Sequence, residues 1–192
     1  AREYEKARRD LYEISNGNPL LIKWMCGQLG REGSACHTIA DAYDFMKNAP
    51  EDNDPLEYIF GDLLGTFTQH EIAVVAALSH FFDPVHVNWI ANITELARDA
   101  VETTLEDLND RSIVNTIYEE QWYILPDLAA QFIQKKQHEA VEKTGDLLAY
   151  STYWLVRTYG QSSTEGHGII EDQLSLVAAA LPRILDSKNS HI

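Results

Sequence analysis

Between residues 68 and 132, three helical stretches give way to two β-rich ones, and this succession limits the architectures open to the chain more than any other feature. Positions 69–82 are apolar almost all round, with Ile72, Val74, Val75, Ala76, Leu78 and Phe81, the pattern of a helix buried on most sides. Pro84 is expected to open the next helix, where a missing backbone donor costs nothing. Over 95–108, Ala97, Val101, Leu105 and Leu108 fall on one face of a third helix. Residues 112–118 and 121–125 are then rich in β-branched and aromatic side chains around the polar pair Glu119-Glu120, which reads as two strands and a turn. Three helices followed by a β-hairpin is the order of a winged helix.

A winged helix raises the question of DNA, so the charge of the third helix matters. In the common docking mode that helix enters the major groove and must tolerate a dense row of phosphates. Glu95, Asp99, Glu102 and Glu106 recur at steps of four, three and four, so one exposed stripe is expected to be wholly acidic. Arg98 and Arg111 are the basic residues nearby, and the wing turn adds glutamates rather than a phosphate-binding lysine. Such a stripe repels DNA. It reads either as a surface for other proteins or as the solvated face of an ordinary helix.

The flanking segments are mainly helical. Residues 2–14 form an amphipathic helix with Tyr4, Leu11 and Ile14, stopped at Ser15-Asn16-Gly17-Asn18, and Pro19 starts the next helix over 20–29. A weaker helix over 35–46 precedes an acidic, proline-containing linker at 48–54, which marks a domain boundary. Leu56, Ile59, Phe60, Leu63, Leu64 and Phe67 then repeat at three- and four-residue steps and are expected to pack first on the winged helix. After Phe132, helices over 138–159 and 169–185 flank a loop at 160–168. The second of these carries Ile170, Leu174, Val177, Leu181 and Ile184 on one stripe, as in half of a helical-repeat array. The expected class is mainly α. Its domains are a small helical domain at 1–50, a winged helix at 51–135 and a helical hairpin at 136–192, and 192 residues suffice for three small domains.

Composition narrows the function classes. Lys and Arg total 15 against 30 Asp and Glu, a formal charge of −15, which disfavours nucleic acid and anionic membranes as partners. No apolar run reaches the roughly 20 residues of a membrane span, and the N-terminal segment lacks a signal-peptide core, so the cytoplasm is the expected location. Cys26 and Cys36 do not have metal-ligand spacing and read as buried or idle thiols in a reducing compartment. The seven histidines are scattered, and His167 sits between two glycines as in a flexible turn. Phosphate-binding loops, zinc-binding His-Glu-x-x-His pairs and nucleophile elbows are missing from the sequence. Neither catalysis nor metal binding is expected of the chain alone. Because it begins with a charged helical segment already under way, it reads as a fragment of something longer.

Taken in order, these segments resemble the carboxyl half of a STAND-class signalling ATPase of the NB-ARC/NACHT-like type. Gly17-Asn18-Pro19, followed by Leu20-Leu21-Ile22, is similar to that family's Gly-x-Pro motif; the same residues also read as a plain helix start after a glycine stop. Leu78-Ser79-His80-Phe81, Leu105-Glu106-Asp107-Leu108 and Arg111-Ser112-Ile113-Val114 look like phrases of its winged helix. Leu125-Pro126-Asp127 stands at its Met-His-Asp-like motif with proline in place of histidine, and Pro126 also reads as the first turn of a helix at 127–134. The resemblance implies that Gly17 and Pro19 face the adenine of a nucleotide, and that Pro126 and Asp127 stand where the family's histidine reaches its β-phosphate. It covers roughly residues 1–135, and the last helices are similar to the first helices of the family's repeat sensors.

The resemblance implies a non-catalytic regulatory arm that couples the ADP or ATP state of a core upstream to domain rearrangement and protein contacts, with 48–54 as pivot. No cofactor is expected in the fragment itself, while ADP or ATP with Mg is expected in the full-length protein. The partners expected are that nucleotide-binding domain and other protein surfaces, through Glu95, Asp99, Glu102 and Glu106. The competing readings are a winged-helix DNA-binding regulator and a helical scaffold that docks a basic partner on those four carboxylates.

Overall fold

The computed structural model describes residues 2–48, 55–117, 121–160, 170 and 173–186, with the side chains of all of these except 2–4, 7 and 186. The described residues are mainly helical, with one small antiparallel sheet. They gather into two compact units: residues 1–68 with 107–113, and residues 69–106 with 114–192.

The first unit is helical. Helix α1 (Arg2–Ile14) ends where Asn16 (φ 48°) and Gly17 (φ 72°) turn left-handed, a conformation that glycine adopts without cost. The Gly17 amide donates to the Tyr12 carbonyl, so the turn reverses the chain tightly. Helix α2 (Pro19–Gly27) starts under an Asn18 cap, whose side-chain oxygen accepts from the Leu20 and Leu21 amides at 3.0 and 3.3 Å. Helix α3 (Ile39–Lys47) opens four residues later than the sequence pattern suggests, because Thr38 and Asp41 form a reciprocal capping box there.

Helix α4 (Pro55–Gly65) buries Ile59, Phe60, Leu63 and Leu64, as its periodicity requires. Side chains of this size stabilise by roughly 1.5–3 kcal/mol each before chain entropy is subtracted. Its partners are α2 and α3: Phe60 meets Trp24 at 4.7 Å between ring centroids, and Tyr58 stacks on Phe45 at 4.5 Å. It is thus grouped with the helices before it, where the sequence analysis places it with the winged helix.

The second unit holds α5 (Gln69–Leu78), β1 (Val85–His86), α6 (Val87–Thr94), α7 (Arg98–Asp110), β2 (Asn115–Ile117), β3 (Trp122–Ile124), α8 (Asp127–Lys136), α9 (His138–Tyr159) and α10 (Leu174–Asp186), apart from the last turn of α7, which falls in the first. The strands lie in the order β1-β3-β2, all antiparallel, with Val85 opposite Tyr123 and Ile117 opposite Trp122. Helix, strand, two helices and a hairpin that returns to the first strand is the winged-helix order. Helix α5 buries Val74 to Leu78 and packs on α6, α8 and α9.

Several expectations are corrected. Pro84 does not open a helix; it leads into β1, and α6 begins at Val87 under His86, whose Nδ1 accepts from the Asn88 amide. Helix α5 stops at Leu78, four residues short of the apolar run. Glu95 is not on the third helix: it caps α6 in the left-handed region (φ 58°), and Ala97 is exposed ahead of α7, while Val101, Leu105 and Leu108 are buried as expected. On α9, Tyr153, Trp154 and Val156 are exposed, and the buried side chains are Thr144, Leu148 and Thr152. On α10, the buried residues are Leu176 and Ala180, not the stripe of Leu174 and Leu181. Residues 49–54 of the pivot, Glu119-Glu120, the 161–168 part of the loop with His167, and the side chain of Tyr4 lie outside the described residues.

Candidate functional site

The Gly17-Asn18-Pro19 turn is a left-handed glycine followed by a capped helix start. Asn18 is committed to capping α2, and Gly17 is close under the Tyr12 ring, where an added Cβ would lie 3.2 Å from it. Pro19, at the first turn of α2, is exposed. Beside the turn, Glu5, Arg8, Arg9, Tyr12 and Ile22 help line a surface cavity of about 450 Å³, where Arg8 pairs with Glu5 at 3.4 Å.

Pro126 and Asp127 give a different picture. Pro126 precedes α8 with extended ψ (138°) and no side-chain cap, and Asp127 is an exposed carboxylate in its first turn. Proline has no side-chain donor for a phosphate, and a carboxylate repels one. This pair does not fit the phosphate role that the resemblance implies.

The acidic stripe is smaller than the spacing implies. Helix α7 carries Asp99, Glu102 and Glu106, but Arg98 Nε donates to Glu102 at 2.8 Å, while Glu95 pairs with Lys143 of α9 at 3.4 Å. Asp99 and Glu106 remain exposed, with no ion-pair partner among the described residues. Arg111 is no surface cation either, at 2% exposure.

Arg111 instead belongs to a cluster that the sequence analysis missed. Its Nη2 donates to Thr66 Oγ1 at 2.6 Å, its guanidinium lies 4.6 Å from the centre of the Phe67 ring, and Nη1 is 3.6 Å from Asp107. Asp107 in turn accepts two hydrogen bonds from Arg31, at 3.0 and 3.2 Å, and Arg31 Nε donates to the Gly27 carbonyl. Gly27 leaves no space for a side chain, since a Cβ would sit 2.7 Å from the Arg111 carbonyl oxygen. The signal available in sequence was the glycine four residues before Arg31, but its partners lie some eighty residues away.

A second polar cluster joins α9 and α10. Arg183 bonds Glu142 and, at 2.7 Å, Asp146, and Gly145 lets it approach. His80 Nε2 lies 3.0 Å from Thr144 Oγ1. Burial, reinforced by the Arg183 charge and opposed by a bond to the Val141 backbone and by Glu142, lowers its pKa to about 4. Between the ends of α5, α6 and α9 is a cavity of about 500 Å³ with Ile72, Ile93 and Leu96 among its lining residues.

Among the described residues no group of three or more His, Cys, Asp or Glu side chains is placed to hold a metal ion. Burial and the carboxylates of Asp62 and Asp41 push the Cys36 thiol up to about 11, which keeps it in the unreactive protonated form. No helix among the described residues is long and apolar enough to cross a membrane. Comparison with family models, curated proteins and solved structures finds no match to this chain.

Proposed function

We propose that the chain is the non-catalytic regulatory arm of a nucleotide-dependent signalling switch of the STAND class. In this reading a phosphate-binding core outside these residues holds ADP or ATP with Mg, and the helices of the first unit form a lid against the base. The winged helix passes the nucleotide state on through contacts with other proteins. The observation that carries the reading is the Gly17-Asn18-Pro19 turn, in which Pro19 is exposed and Gly17 lies against the Tyr12 ring. The exposed carboxylates Asp99 and Glu106 on α7 support protein contacts over DNA, since affinity for a polyanion starts from positive charge.

The reading gives the lid a share of the base and the missing core the phosphates, so this chain alone should bind ADP at millimolar affinity or not at all. Calorimetry measures this, and a micromolar constant would overturn the division of labour. At millimolar ADP, the amide resonances that move should be those of Tyr12, Gly17, Asn18, Leu20 and Leu21, and Pro19→Ala should abolish the movement. Shifts centred on α7 or α8 would assign the nucleotide elsewhere. A salt-sensitive gel shift with duplex DNA would favour the competing DNA-binding regulator.

A further inference from the structure

We propose that the outer face of the α9–α10 hairpin is a homodimer interface, with α10 of one copy lying antiparallel to α10 of a second so that two hairpins make a four-helix bundle. The starting point is that α10 carries two apolar stripes. Leu176 and Ala180 are buried on the side that packs on α9. Leu174, Leu181 and Leu185 are 59%, 44% and 56% exposed, and together with Val177 and Ile184 they recur at three- and four-residue steps, the spacing of a helix–helix seam.

Charge is sparse on this helix ahead of its last residue, Asp186. Between 174 and 185 the one charged residue is Arg183, and it is turned onto Glu142 and Asp146 of α9. Ser175, Ala178 and Pro182, which share the exposed side, are uncharged. A helix that is apolar all round is normally buried, and here only one side is.

The neighbouring face of α9 has the composition of an interface. Tyr150, Tyr153 and Trp154 are exposed on the side opposite Leu148 and Thr152. Arg157 lies over the rings of Tyr153 and Trp154, 5.9 and 5.2 Å from their centres, and donates to the Tyr153 hydroxyl at 3.0 Å. No carboxylate among the described residues pairs with it. Tyrosine, tryptophan and arginine are the residues that carry most interface energy.

Three arguments select a second copy as the occupant. A seam with this spacing is self-complementary about a two-fold axis, so each copy offers what the other needs. On a chain of net charge −15, like copies repel over most of their surface, and the exposed side of α10, with Leu174, Leu181 and Leu185, is where they can meet. The six exposed side chains of the two stripes each offer on the order of 100 Å², which brings roughly 600–700 Å² from each copy, near the roughly 800 Å² a side of stable pairs.

Sedimentation velocity of the 192-residue chain over a concentration series tests this. The expected result is a dimer, with Leu181→Glu raising the dissociation constant by roughly 30-fold or more while the far-ultraviolet helix signal is unchanged. Should Leu181→Glu unfold, Trp154→Ala is to be read instead, with the same loss expected. In a Cys26→Ser background, Leu181→Cys near the middle of the seam should oxidise to a covalent dimer, and an added cysteine at exposed Asp99 on α7 should not. A wild-type chain that stays monomeric at about 100 µM, where pairs of standard size are formed, would overturn the proposal. So would a dimer that neither Leu181→Glu nor Trp154→Ala weakens.

Discussion

Arg111 and Arg183 hold similar partners in different surroundings. Each guanidinium forms an ion pair with a carboxylate within its own compact unit, yet the Arg111 side chain is 1% exposed and that of Arg183 28%. Arg111 is held from several sides, by a ring face, a hydroxyl, a carboxylate and a glycine against its own carbonyl. Arg183 contacts carboxylates that are themselves mostly in water, where screening removes most of the Coulomb gain. The difference teaches that the distance within an ion pair says little until the surroundings of both members are known.

The comparison can be broken at its strongest point first. Gly27→Ala should cost about 3 kcal/mol or more in urea unfolding, because the new Cβ meets backbone rather than a side-chain end that can swing away. A loss below about 1 kcal/mol would show that the α2 contact with residue 111 is looser than described. Arg111→Ala should cost about 2–3 kcal/mol through the lost cation–π contact, the lost bond to Thr66 and a cavity. Arg111→Met should cost less, since it restores volume without a buried charge.

His80 gives the comparison a pH axis. Its folded pKa of about 4 lies below the usual 6.5, so between these values the unfolded chain binds more protons. Stability should therefore decline as pH falls from about 6.5 to about 4, by up to roughly 3 kcal/mol, and level off below. In a pH series of melting curves, His80→Gln should remove most of this slope; an unchanged slope would trace it to the carboxylates. The smallest effect belongs to Arg183→Ala, at about 1 kcal/mol or less and shrinking with added salt. A loss as large as that from Arg111→Ala would erase the distinction between the two arginines.

The local pattern made much of the fold legible. The seam of α4 and the all-round apolar character of α5 were readable because burial repeats at helical spacing, and most of both is buried, with Leu56 and Ile72 half-buried. The two-residue strand β1 was not readable, since two residues hold no period and Pro84 beside them looks like a helix start. Glu95 was misplaced because four carboxylates at helical spacing look alike whether or not a left-handed residue interrupts them. Of the candidate site, the Gly17-Asn18-Pro19 turn was visible as punctuation. The Arg111 cluster was invisible, because its members come from Gly27, Arg31, Thr66 and Asp107, far apart in the chain.

By itself, then, the amino-acid order determined where helices begin and end to within a few residues, that most of them have an apolar side, and that the chain is strongly acidic. These are properties of neighbours within a turn or two of helix, and short-range sterics and periodicity are enough to set them. Only the tertiary structure decided which of the two apolar stripes of α10 faces α9, which arginine is buried and which carboxylates stay in water. Those choices depend on what packs opposite, and residues that are distant in the chain and close in space leave no local trace.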